Sequence, residues 1–226
     1  MNRDPSGTSG PDATYKEDAY FASRLTPDSS RERLWRVLCG YLQRDVAANG
    51  SVLELGGGYC YFINNIQAAE KHVVDVYEGI VQAAAAGVTA HVQSCVNLSN
   101  FGSDSCDTIF ASNLFEHLTR PELLNTLAEI QRVLRRKGRL LIIQPNFKYS
   151  YRDYFDDYTH VQIFTDASLT DLLAASGFTI ERVVPRFLPF SVKSRGPKWT
   201  WLLRLYLTLP WRPFAGQMYI VAGKAA

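Results

Sequence analysis

Three consecutive glycines, Gly56-Gly57-Gly58, follow the apolar run Ser51 to Leu55 and precede Phe62, Ile63 and Ile66. A strand turning through glycines brings bare backbone close to a ligand, because a side chain at Gly56 or Gly58 would occupy the ligand's space. Asp75 stands nineteen residues after Gly56, at the end of a second apolar run. A carboxylate there suits the two hydroxyls of a ribose, with Glu78 as a competing candidate. The dinucleotide pattern GxGxxG fails, because Tyr61 takes the place of its last glycine, and a nicotinamide-dependent reductase is disfavoured. A second concentration of reactive groups lies in Tyr151-Arg152-Asp153-Tyr154-Phe155-Asp156-Asp157-Tyr158-Thr159-His160. His160 close to Asp157 has the makings of a carboxylate-oriented general base. The alternative is that His160 fixes the loop ahead of the next helix.

The elements that must hold these residues alternate between short apolar strands and helices. Ser29 and Glu32 form an S-x-x-E capping box for a first helix whose apolar face carries Leu34, Leu38, Tyr41 and Leu42. Strands are expected at Ser51 to Leu55, His72 to Val76, Val88 to Val92, Thr108 to Ser112 and Arg139 to Gln144. Between them, helices are expected through Phe62, Ile63 and Ile66, over Gln82 to Ala86, and from Thr119. The last carries the stripe Leu123, Leu127, Ile130 and Leu134, has Arg135, Arg136 and Lys137 at its C-terminal dipole, and is closed by Gly138. A helix over Ser168 to Ser176 and strands at Phe178 to Val184 and Met218 to Ala222 complete the pattern. The alternation predicts an α/β fold with a mainly parallel sheet covered on both faces. Gln144-Pro145-Asn146-Phe147 then falls at the sheet's carboxyl edge, where ligands of such sheets bind, and is a candidate for the acceptor side.

The segment Glu54-Leu55-Gly56-Gly57-Gly58-Tyr59-Cys60 resembles the E/D-x-G-x-G-x-G loop of class I S-adenosylmethionine-dependent methyltransferases, with Cys60 in place of the third glycine. Phe110 to Leu118, with Glu116-His117-Leu118, resembles the end of their fourth strand. Leu134 to Ile142 resembles the stretch leading into their fifth. The resemblance covers about residues 50–185 and the last strand. It implies a Rossmann-like fold with a seven-stranded sheet, an antiparallel last strand, and S-adenosylmethionine as cofactor. Under that resemblance Glu54, Gly56, Gly57 and Gly58 hold the amino-acid part of the cofactor and Asp75, with Val76 beside it, the ribose. Asn113 lines the methyl-donor side. Many members carry an Asp for the adenine amine after the third strand; Ser94 and Cys95 stand in that slot here. His160 and Asp157 are the candidate catalytic pair, and Arg24 a further candidate for the cofactor's carboxylate. The sequence also looks like bacterial members linked to cell-surface glycan and lipid pathways, through Gly58 to Asn64 and Arg186-Phe187-Leu188-Pro189. The acceptor expected is therefore a small molecule, a saccharide or a lipid-linked compound, methylated at oxygen. The rival is a non-catalytic cofactor-binding module or partner subunit.

Composition bounds the rest. The 226 residues are 46% hydrophobic and 20% charged, enough for one domain with a real core over residues 14–226. Residues 1–13, rich in Gly, Ser, Pro and Asp, read as a disordered arm. Cys39, Cys60, Cys95 and Cys106 form no CxxC pair and no histidine stands at ligand spacing from them, so no metal site is expected and a reducing, cytoplasmic setting is. The N-terminus has no apolar stretch of signal-peptide length. After Glu181 no acidic residue remains, while eight basic ones follow: Arg182, Arg186, Lys193, Arg195, Lys198, Arg204, Arg212 and Lys224. A basic insert at about 185–216, with three tryptophans and five prolines, reads as a lid over the substrate site. The alternative is a segment lying on the inner membrane surface. No aromatic-interleaved basic motif points to nucleic acid.

Overall fold

The computed structural model describes residues 29–189 and 199–224. Residues 1–13, Arg24 and the centre of the late insert lie outside them. Seven strands form one sheet in the order β3-β2-β1-β4-β5-β7-β6. They are β1 (Ser51–Leu55), β2 (Glu70–Asp75), β3 (Val88–Val92), β4 (Cys106–Ser112), β5 (Leu134–Pro145), β6 (Phe178–Pro189) and β7 (Ala215–Lys224). The pairs among β1, β2, β3, β4 and β5 are parallel, and β7 runs antiparallel to both β5 and β6. The carboxyl ends of β1, β2, β4 and β5 therefore share one edge.

The sheet is apolar on both faces, and the period of two along each strand sorts its side chains. Leu53, Leu55, Ile109, Ala111, Leu140 and Ile142 meet Leu123, Leu127 and Ile130 of α3 (Arg120–Val133) and Leu169 and Leu173 of α5 (Asp166–Ala175). Val52, Val73, Phe110, Leu141 and Ile143 face the other way. There they meet Leu38 and Leu42 of α1 (Ser29–Leu42) and Leu207 of α6 (Thr200–Thr208). The short helices α2 (Ile80–Ala83) and α4 (Phe147–Ser150) complete the set. Thr119 and Glu122 cap α3 reciprocally, with Pro121 in the first turn.

Three expectations are corrected. Residues 59–66 form linked turns, not a helix; Glu54 Oε2 takes the Ile63 N–H at 3.0 Å and Cys60 turns left-handed with φ 58°, which breaks the helical repeat. The alanine-rich helix stops at Ala83, because the Asn64 amide bonds Ala83 O and Ala85 N. Helix α3 ends at Val133. Leu134 is already extended and pairs with Cys106, so Arg135, Arg136 and Lys137 lie within β5. Lys137 turns to φ 66°, and a Cβ on Gly138 would lie 2.8 Å from Arg135 O.

The basic tail is also less of a free surface than its composition suggests. Arg182 pairs with Asp45, Lys224 with Asp104 at 2.6 Å, and Arg212 is 8% exposed against Tyr41 and Phe187. Asp45 is buried and also accepts the Tyr219 hydroxyl at 2.8 Å. It thus ties the end of α1 to β6 and β7. Asp45→Ala leaves Arg182 and Tyr219 without their acceptor and is expected to lower stability by about 3 kcal/mol in urea unfolding; a loss below about 1 kcal/mol would reduce the pair to an ordinary surface contact.

Candidate active site

The glycine loop is held by β2 at close range. Gly56 N–H and Gly57 N–H both bond Val74 O, at 2.8 and 3.4 Å. Gly58 N–H bonds Asp75 Oδ2 at 2.7 Å. A Cβ on Gly57 would sit 2.2 Å from Val73 Cγ2, a distance no side chain can occupy. Gly56 and Gly58 take φ of 69° and 49°, the left-handed region in which glycine is at ease. Cys60, the departure from the loop pattern, adopts the same hand at φ 58° with its side chain fully buried.

Two carboxyl groups flank the loop. Glu54, 4% exposed, is pushed well above the usual carboxylate range by burial, against the Ile63 N–H. Asp75, 8% exposed, is raised by burial against the Tyr77, Gly58 and Val76 N–H groups. Asp75 Oδ1 accepts from Tyr77 N–H at 3.0 Å. Three of its four lone pairs are thus turned to main-chain N–H groups, which leaves one for a ribose hydroxyl. Val76 is exposed beside it and Glu78 is exposed further on. Tyr59 stacks its ring within 6.0 Å of Tyr61 and 6.3 Å of Tyr77, an aromatic border to the loop that residue spacing did not single out. Ser94 makes a turn with Val96 N–H. Cys95 points its thiol to Thr126 at 3.6 Å, and burial raises it to about 11. Its side chain belongs to the core. Bare backbone, two flanking carboxyls and an aromatic border fit an adenosyl ligand with a cationic amino-acid tail.

A second cluster forms beyond the ends of β4 and β5. Asn113 takes φ 49° and accepts from Gln217 of β7 at 2.7 Å. Glu116, fully buried, accepts from Gln144 at 2.7 Å through Oε2. Burial pushes its carboxyl up to about 8. Burial lowers His117 to about 4, with His160 adding to the effect. The two imidazole rings meet edge to face at 4.9 Å. The expected Asp157–His160 pairing is rearranged. His160 Nδ1 lies 2.6 Å from Tyr154 O, whereas Asp157 reaches His117 through Thr159. Burial opposes the Asp157 charge, but the Thr159 hydroxyl and N–H and the two imidazoles hold it below the ordinary carboxylate range. Glu116 O accepts from Val161 and Gln162 N–H at 2.8 and 3.2 Å, which clasps the His160 loop onto the Glu116–His117 turn. Sequence reasoning missed Glu116 and Thr159 as partners, although Glu116-His117 was in view as part of the fourth-strand segment.

Residues 29–183 match the family described as a methyltransferase domain. Among solved structures, a putative methyltransferase from a complex with the Haloferax volcanii Trm112 methyltransferase activator superposes with TM-score 0.69 at 16% identity, over 93% of this chain and 97% of that one. A SAM-dependent methyltransferase from Archaeoglobus fulgidus gives 0.62 at 19%, over 84% and 94%. The Burkholderia thailandensis 1,6-didemethyltoxoflavin-N1-methyltransferase, holding S-adenosylhomocysteine, gives 0.59 at 18%, over 94% and 85%. No curated protein matches the chain. The fold is thus that of a Rossmann-like methyltransferase. The chain belongs to the methyltransferase domain family and is an S-adenosylmethionine-dependent enzyme.

Because the native state holds the Glu54 and Asp75 protons more tightly than an unfolded chain does, stability of the cofactor-free protein should fall as pH rises through and above the ordinary carboxylate range. Glu54→Gln is expected to flatten that slope in urea titrations run at several pH values. In calorimetry with S-adenosylhomocysteine, Asp75→Ala should weaken binding about 10- to 100-fold and Gly58→Leu should abolish it. Undiminished affinity in both folded variants would remove the cofactor from this loop.

Proposed function

We propose that this enzyme methylates an oxygen of a small-molecule, saccharide or lipid-linked acceptor that carries an anionic group. The observation that carries the reading is the cluster of half-buried His117, Asp157, Thr159 and His160 around the buried Glu116, beyond the carboxyl ends of β4 and β5. Bound S-adenosylmethionine supplies a methyl group already activated on a sulfonium, so alignment and a dry site do much of the work. An amine acceptor would need no strong base. A hydroxyl is a poor nucleophile until its proton has somewhere to go. His160, with its Nδ1 side held by Tyr154 O, presents a lone pair for that proton. Asp157 acts at one remove, steadying His117 through Thr159. Glu54 and the glycine backbone receive the amino-acid tail of the cofactor, Asp75 the ribose, Ser94 and the Cys95 backbone the adenine, and Asn113 flanks the methyl group.

Arg186 and Arg212 support the anionic group. Among the described residues neither pairs with a carboxylate, and Arg186 Nε and Arg212 Nε and Nη1 are buried without a hydrogen-bond partner. Arg186 lies over Tyr149, just past β5, with Trp211 beside it, and Arg212 packs against Tyr41 and Phe187. No helix among the described residues is long and apolar enough to cross a membrane. Trp199, Trp201, Leu205, Trp211 and Phe214 are nonetheless exposed around α6. Their mixture with Arg204 suits peripheral contact with the inner face of a membrane, which is where a cytoplasmic enzyme would meet a lipid-linked acceptor.

His160→Asn is expected to lower the rate of methyl transfer to a hydroxyl acceptor by about 10²- to 10⁴-fold while leaving S-adenosylhomocysteine affinity within twofold. An unchanged rate, or faster transfer to the matching amine, would count against oxygen as the target.

A further inference from the structure

Glu116, His117 and His160 each offer one ligand atom, and the three atoms lie within 4.8 Å of one another. Glu116 is the telling member. Its side chain is completely inaccessible, Oε2 is occupied by Gln144, and Oε1 has no hydrogen-bond partner while lying 4.0 Å from His160 Nε2. A buried acceptor left unmet is unfavourable, more so when charged, and an occupant that accepts its lone pair would relieve it.

The hydrogen bonds around the imidazoles fix which nitrogen each turns inward. The single Thr159 hydroxyl hydrogen goes to Asp157 Oδ1 at 2.6 Å. At 2.9 Å from His117 Nδ1 that oxygen can only accept, so His117 carries its hydrogen on Nδ1. His160 Nδ1 faces a carbonyl at 2.6 Å and carries its hydrogen there as well. Both rings therefore keep their lone pair on Nε2. A histidine whose far N–H is anchored by an oxygen is also how proteins orient imidazole toward a metal.

We infer that Glu116, His117 and His160 bind a divalent first-row transition-metal ion. Two imidazoles and one carboxylate suit zinc, iron(II), manganese or cobalt rather than the harder magnesium or the softer copper(I). Bonds of about 2.0–2.2 Å place the ligand atoms roughly 3–3.5 Å apart, so binding draws the present cluster inward. Three protein ligands leave positions open for an oxygen of the acceptor. The inference rests on reading this cluster as the acceptor side. It deepens that reading but changes one role: with both Nε2 lone pairs serving as ligands, an acceptor hydroxyl at an open position would be acidified there and would give its proton to solvent water, not to His160.

The test uses the full chain, stripped with chelator and titrated with cobalt(II) and zinc(II) chloride. One equivalent is expected by elemental analysis, with a visible cobalt band from mixed nitrogen and oxygen ligation. Glu116→Gln and His160→Asn should each weaken binding at least tenfold. Thr159→Val, which keeps all three ligands and frees His117 Nδ1, should weaken it about 10- to 100-fold. His72→Asn, in the separate His72–His91 contact between β2 and β3, should leave it unchanged. Absence of stoichiometric metal in the wild-type chain overturns the inference, as does metal lost in His72→Asn but retained in His160→Asn. Calorimetry with S-adenosylhomocysteine on the same stripped protein separates the two readings: intact cofactor binding without metal binding leaves the methyltransferase assignment standing and sinks only the metal.

Discussion

The first turn after β1 runs so close to β2 that Gly57 has no room for a side chain beside Val73, and much of the site follows from that approach. Contact at this range lets three consecutive N–H groups find acceptors on β2, two on Val74 O and one on the Asp75 carboxylate. The same contact brings Glu54 and Asp75, which lie in different strands, to opposite sides of one short loop. Both carboxyls are buried with their proton affinity raised. In a free protein that is an unfavourable arrangement. It becomes favourable when a ligand bearing a positive charge arrives, so the strain of burying two acids is converted into affinity for a cationic partner.

The cluster around Glu116 follows a different principle. Its groups come from three separate places in the chain: the turn after β4, the end of β5 and the loop before α5. They are joined by main-chain bonds from Val161 and Gln162 to Glu116 O and by a relay from Asp157 through Thr159 to His117. A carboxyl near neutrality in its proton affinity and an imidazole held well below it share one buried space. Such neighbours accept charge from outside more readily than they carry it themselves, whether the charge comes as a proton or as a cation.

The sheet and the glycine loop were legible in the sequence because both depend on local patterns. Short apolar runs placed β1, β3 and β4, and glycines at 56 and 58 announced a close approach of the backbone. The failures have equally local causes. Phe62, Ile63 and Ile66 have helical spacing, but the spacing says nothing of Glu54 reaching across to the Ile63 N–H. Leu134 continues the stripe of α3, yet its backbone is claimed by Cys106. Cys60 looked like a defect in the loop because residue type, not conformation, is what a sequence displays; its φ has the same sign as those of Gly56 and Gly58. The His160 neighbourhood was found through Asp157, because the two lie only three residues apart in the chain. The partner that matters more, Glu116, is 44 residues away from His160 in sequence and meets it only through the fold.

The four cysteines are all buried and unpaired, and they are divided between the two sides of the sheet. Cys39 and Cys60 lie in the layer with α1, Cys95 and Cys106 in the layer with α3. Burial holds each thiol above its usual proton affinity, so none is a ready nucleophile in the closed protein. An alkylating reagent can then modify them only when the layer that shelters them opens. The molecule carries, in effect, two pairs of built-in reporters, one for the breathing of each half of its interior.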